Sequence, residues 1–156
     1  MKAASIKDIK KELETLELDA LQEICMRLAK YKKENKELLT YLLFDAGSED
    51  EYVTLVKEEL DAMFKDMPTG NAYYVKKNLR KILRFLNRQI KYSGENNTEL
   101  MLRLYFCLNV RNKVALIEGS VLHRLYQQQL AKVNIALAAL PEDLQADYQR
   151  EVDEVR

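Results

Sequence analysis

The chain has no tryptophan, one histidine, two prolines, two cysteines and four glycines among its 156 residues, and each scarcity closes off a class of protein. A lone histidine, His123, excludes the two-histidine zinc motif of a helix, and no Cys/His cluster has ligand spacing, so no metal or other cofactor is expected. The glycines at 47, 70, 94 and 119 stand apart, each near a helix boundary, and build no phosphate-cradling loop. So few Gly and Pro do not suit a turn-rich β protein. Cys25 and Cys107 each lie in an apolar helical stripe and read as two buried, reduced thiols, which points to a reducing, cytoplasmic compartment. The longest apolar cluster, Leu38 to Phe44, is broken by Thr40 and falls short of the roughly 20 residues of a membrane span. The opening MKAASIKDIKK has no apolar centre of a secretory signal, so the reading is a cytoplasmic chain without a membrane role.

What is present is helix. Hydrophobic residues make up 47% and charged residues 32%, and the apolar positions recur at three- and four-residue intervals nearly throughout. Ser5 with Asp8 opens a first helix carrying Ile6, Ile9, Leu13 and Leu16 on one face. Asp19 opens a second, and after a break in Lys32 to Glu37, Asn35 is expected to cap a third. Ser48-Glu49-Asp50-Glu51 reads as a full capping box, and Pro68-Thr69-Gly70 as a tight reversal between two antiparallel helices. Thr98, Ser120 and Pro141 mark later starts. No Gly- or Ser-rich linker divides the chain. The expectation is therefore all-α: a single compact bundle-like domain of seven to eight helices over residues 1–156, with Ile9, Leu13, Leu28, Leu60, Leu79, Leu83, Leu86, Leu104, Leu108, Val133 and Leu137 in the core.

Net charge is zero but unevenly spread. Residues 46–70 hold two basic and seven acidic side chains, and residues 71–92 hold seven basic and none acidic. Wound at 100° per residue, Val75, Leu79, Ile82, Leu83, Leu86 and Ile90 form a core-facing stripe, with the bases opposite. Lys77, Arg80, Arg84, Arg88 and Lys91 are the candidate polyanion-binding residues, with Tyr74, Phe85 and Tyr92 along one flank as stacking surfaces for nucleic acid. The alternative is structural: Glu58, Glu59 and Asp61, or the carboxylates of residues 142–154, neutralise the row.

Catalytic patterns are missing. A Cys–His pair needs an accessible thiol, and adjacent carboxylates such as Glu58-Glu59 diverge on a helix surface. The chain reads as a non-enzymatic interaction or structural module with an unidentified protein partner or a second copy of itself, and nucleic-acid or other polyanion binding is the second reading.

Two stretches carry a resemblance. The opening pattern Ile9, Leu13, Leu16, Leu21, Leu28, Lys36, Leu43 and the closing run Leu140-Pro141-Glu142-Asp143-Leu144-Gln145 with Asp147 and Tyr148 resemble a family of small, functionally uncharacterised, all-helical bacterial proteins. The resemblance implies a bacterial, cytoplasmic, all-helical protein and brings no reaction or ligand with it.

Overall fold

The computed structural model describes every residue from Met1 to Arg156. It is all-α, with eight helices and no strand. The chain divides into two compact units, residues 1–44 and residues 45–156.

The first unit holds α1 (Ile6–Glu14), α2 (Leu18–Tyr31) and α3 (Lys33–Thr40). Ser5 caps α1 as expected: its hydroxyl oxygen accepts from the Asp8 amide at 3.2 Å and donates to the Asp8 carboxylate at 2.6 Å. The break after α2 falls at Lys32, whose backbone is extended, and the α2–α3 pair packs together. Asn35 is not the cap of α3. Its Nδ2 donates 2.8 Å back to the carbonyl of Leu28, satisfying one of the orphan acceptors at the end of α2. A five-residue π turn, Tyr41–Asp45, follows.

The second unit holds α4 (Glu49–Lys65), α5 (Ala72–Ser93), α6 (Asn96–Lys113), α7 (Val121–Ala138) and α8 (Glu142–Val155). Helix α6 is its axis and packs against all four others. Leu100, Leu102, Leu104, Phe106, Cys107 and Val110 of α6 are buried on several sides of the helix, so α6 keeps only a narrow strip of exposure through Met101, Tyr105 and Leu108 and has no clean amphipathic stripe. Leu60, Leu79, Leu86 and Val133 are completely buried around it, and Phe64 tilts against Phe106 with ring centroids 5.7 Å apart.

Polar groups tie the helix ends. Ser48 begins α4 but its side chain caps nothing. Instead the Glu49 carboxylate accepts from Ser93 Oγ at 2.9 Å and Thr98 Oγ1 at 2.5 Å, joining the start of α4 to the end of α5 and the start of α6. Thr98 is accordingly a buried residue within α6, which starts two residues earlier than expected. Gly94 ends α5 in the left-handed conformation that only glycine adopts without cost. Arg111 of α6 donates to the backbone carbonyls of Glu154 (2.6 Å) and Arg156 (2.9 Å), and the Tyr126 hydroxyl donates to that of Val155.

The expected core needs correction. Leu60, Leu79, Leu83, Leu86, Leu104, Val133 and Leu137 are buried, but Ile9 (42% exposed), Leu13, Leu28 (56%) and Leu108 are not. Cys25 is exposed too, and only Cys107 is a buried thiol. For Ile9, Leu13, Cys25 and Leu28, all in the N-terminal unit, the reason is common: an amphipathic stripe demands a partner without saying that the partner lies in the same molecule.

Candidate interaction surfaces

Helix α5 is a lever between core and solvent. All six apolar stripe residues are buried, and this fixes the rotation of the helix so that the basic row points outward. Lys77, Arg80, Arg84 and Lys91 are exposed and Arg88 is half-buried. The five fall within an arc of about 80° and span about 21 Å of helix axis. None of them takes part in an ion pair; the chain's salt bridges lie elsewhere. Arg88 Nε is buried without a hydrogen-bond acceptor.

The carboxylates expected to compensate this row are engaged elsewhere or exposed without a partner in it. Asp61 accepts from the Tyr105 hydroxyl of α6 at 2.5 Å, and this bond together with burial raises the Tyr105 pKa, burial being the larger cause. In α8, Asp153 pairs with Arg156 and Glu154 with Arg150. Glu58 and Glu59 are exposed. Of the flanking aromatics, Tyr74 is exposed while Phe85 and Tyr92 are half-buried. Tyr73 was missed by the sequence reading. It is 63% exposed, lies one turn before Lys77 on the same face, and meets Tyr74 edge-on with centroids 5.3 Å apart. Its spacing of four from Lys77 was the available signal.

Beside the start of α5, a depression of about 480 Å³ opens between the α4–α5 turn and the α6–α7 loop, lined among others by Met67, Tyr73, Val75, Lys76, Lys113 and Ile117. No Asp, Glu, His or Cys lines it; it presents apolar surface, the hydroxyl-bearing side chains of Thr69, Tyr73 and Ser120, and the amines of Lys76 and Lys113. His123 sits outside it on α7, half-buried, with its Nε2 3.2 Å from Gln127 Nε2. Cys107 is far from any such chemistry: burial pushes its thiol up from 9.0 to about 12, the nearby Arg103 charge opposing this only weakly.

The second surface is the N-terminal unit itself. No residue of α1, α2 or α3 is buried. Ile6, Ile9 and Leu13 line one side of α1, and Cys25, Leu28, Leu38, Leu39 and Leu42 line a groove of about 180 Å³ between α2 and α3. No helix is long and apolar enough to cross a membrane. Comparison with family models, with curated proteins and with solved structures finds no match for the chain.

Proposed function

We propose that the chain is a non-enzymatic helical interaction module in which α4–α8 form a stable scaffold and α1–α3 form the docking surface for a protein partner. One observation carries this reading: three well-formed helices with apolar stripes bury not one residue. A row of exposed apolar side chains such as Ile6, Ile9, Leu13, Ile24 and Leu28 on a folded chain is the mark of a surface that is covered in use. The test is a comparison of stabilities at dilution. In urea unfolding, Ile9→Asp and Leu28→Asp leave the midpoint within about 0.5 kcal/mol of the parent, as substitutions at uncovered positions do. A loss above about 2 kcal/mol at either site, in a monomeric sample, places these side chains in the molecule's own core and removes the arm as a docking surface.

A second reading, polyanion binding, is supported by the absence of any ion pair along Lys77, Arg80, Arg84, Arg88 and Lys91. Five bases at helical spacing, with Tyr73 and Tyr74 exposed at one end, offer charge and stacking to a phosphate backbone. Titration with mixed-sequence RNA and DNA at two salt concentrations tests it; binding that is absent at low salt rejects it.

A further inference from the structure

The depression beside the start of α5 has features that the two interaction surfaces leave unused. It is walled by the α4–α5 turn, the first turns of α5 and α7 and the α6–α7 loop, all within residues 45–156. Its volume of about 480 Å³ falls in the range of about 300–1000 Å³ that small-molecule sites occupy. The α6–α7 loop begins Val114-Ala115-Leu116-Ile117, four consecutive apolar residues in a segment that is neither helix nor strand. Such a run calls for cover, yet Ile117 is 70% exposed. Tyr73 and Val121, exposed as well, border the same depression. Elsewhere the second unit exposes only Leu55, Tyr74, Leu108 and Ile135 among its large apolar side chains.

Local hydrogen bonds fix the walls. In the α6–α7 loop the Ile117 carbonyl accepts from the Ser120 amide at 3.0 Å, across a turn in which Gly119 takes a φ of 78°. Ser120 Oγ then accepts from the His123 amide at 3.1 Å and caps α7. After the α4–α5 turn, Asn71 Oδ1 accepts from the Tyr73 amide at 2.9 Å and caps α5. Walls held in this way have little left to order when a ligand arrives.

The charge of the depression has one sign. Lys76 of α5 and Lys113 at the end of α6 line it, no acidic residue does, and neither lysine is in an ion pair. Asp66 and Glu118 adjoin lining residues along the chain but stay outside the lining. The Lys113 ammonium rests 5.6 Å from the centroid of the Phe64 ring, a contact that holds the amine without neutralising it. Helix ends follow the same pattern. Helices α1, α2, α3, α4, α6 and α8 each carry an acidic residue in the first turn, where it offsets the positive end of the helix dipole. The two helices that begin at this depression, α5 and α7, carry none. Helices α4 and α6, which end beside it, have Lys65 and the pair Arg111 and Lys113 in their last turns.

We propose that this depression binds a small amphipathic anion, a carboxylate on an aliphatic or aromatic body, with the carboxylate held by Lys76 and Lys113 and the body laid over Val75, Ile117 and Val121. Apolar contact supplies the burial and the amines supply the orientation, as in small-molecule sites generally. Thr69, Tyr73 and Ser120 add hydroxyl donors for the carboxylate oxygens. Two amines match a single anionic head, and no arginine lines the depression to offer the two-pronged fork that suits phosphate. The site is distinct from α1–α3 and from the outward row of α5, so it stands whether or not those surfaces have partners.

The experiment titrates the full chain with decanoate, below its micelle concentration, and with 2-naphthoate, using calorimetry for affinity and amide chemical shifts in the NMR spectrum for location. The expected result is saturable one-to-one binding of at least one of the two, with shifts gathered at Tyr73, Val75, Lys76 and residues 114–122. Acetate, which has no apolar body, produces no such shifts. The alcohol of the same body, decanol or 2-naphthol, binds about tenfold more weakly than the acid. Lys76→Gln with Lys113→Gln removes that preference for the charged form, with helical circular dichroism retained because neither lysine is buried or in an ion pair. Ile117→Asp places a repelling charge at an exposed site and abolishes binding of the acid while the fold persists. Four results overturn the proposal: no saturable binding of either acid at about 1 mM, equal affinity for acid and alcohol, shifts confined to α1–α3, or an affinity that K76Q/K113Q and I117D leave unchanged.

Discussion

Arg103 of α6 donates from Nη1 to Gln129 Oε1 of α7 at 3.0 Å, and both side chains are buried. The Arg103 Nε is held in turn by Glu99 at 2.9 Å, one turn earlier on α6. A guanidinium enclosed in this way is tolerable only while each donor has an acceptor. Gln129→Leu keeps the volume and removes the acceptor. The expected cost is about 1.5–3 kcal/mol, read as a lower urea midpoint with an unchanged slope.

The scaffold and the arm should answer truncation differently. Leu86 is fully buried and Ile24 is 38% exposed. Leu86→Ala should cost about 2–5 kcal/mol. Ile24→Ala should cost less than about 0.5 kcal/mol when the protein is dilute enough to be monomeric. Chemical denaturation of the two variants side by side checks both values.

Stability should fall in alkali, and Cys107 should start the fall. Burial raises its pKa from 9.0 to about 12, so the folded chain keeps the proton while the unfolded chain gives it up. The stabilisation is complete below about pH 9 and is lost as the pH climbs toward 12. Between pH 8 and pH 10 the loss is about 1.4 kcal/mol. Tyr105, Tyr126 and Tyr148 are also raised, chiefly by burial, and push in the same direction at higher pH. Cys107→Ala should flatten the profile between pH 8 and pH 10, which urea midpoints at the two values would reveal.

For the basic face, the salt dependence is the discriminating quantity. Neutralising about five phosphates of duplex DNA implies a slope near −4.5 for log K against log salt. Changing the exposed Arg80, Arg84 and Lys91 together to Glu should abolish binding while leaving the fold intact, since none of the three is buried or in an ion pair. Affinity that survives the triple change assigns the binding to another surface.

Helix α5 was legible in full. A single run with seven bases, no acid and a six-residue apolar stripe leaves one rotation open to it, and all six stripe residues are buried. The caps at Ser5 and Ser120, which depend on neighbours three residues away, were legible for the same reason: the information is local. Glu49 was not. The Ser48-Glu51 box is a sound local pattern, but Ser93 and Thr98, 44 and 49 residues away, win the Glu49 carboxylate, and that choice exists only after α4, α5 and α6 have assembled. The α6 core was half legible, because a helix enclosed on several sides loses the contrast between faces on which periodicity depends. For Ile9, Leu13 and Leu28 the stripe was read correctly and its destination was not. The basic row was likewise visible as a row, whereas the lack of carboxylates paired to it required the packing of α4 and α8.

The central position of α6 also sets the order in which the scaffold can be built. Its four partners are α4, α5, α7 and α8, so no partner is more than two helices away along the chain. Every loop closed on the way to the native packing is short, and proteins of such low contact order fold in microseconds to milliseconds. During synthesis, however, the α4–α5 hairpin emerges first with Leu60, Leu79 and Leu86 uncovered. Only when the ribosome has released α6 can that hairpin close, so the interval between the emergence of Ser93 and of Lys113 is the period in which the nascent scaffold is most exposed to misassociation.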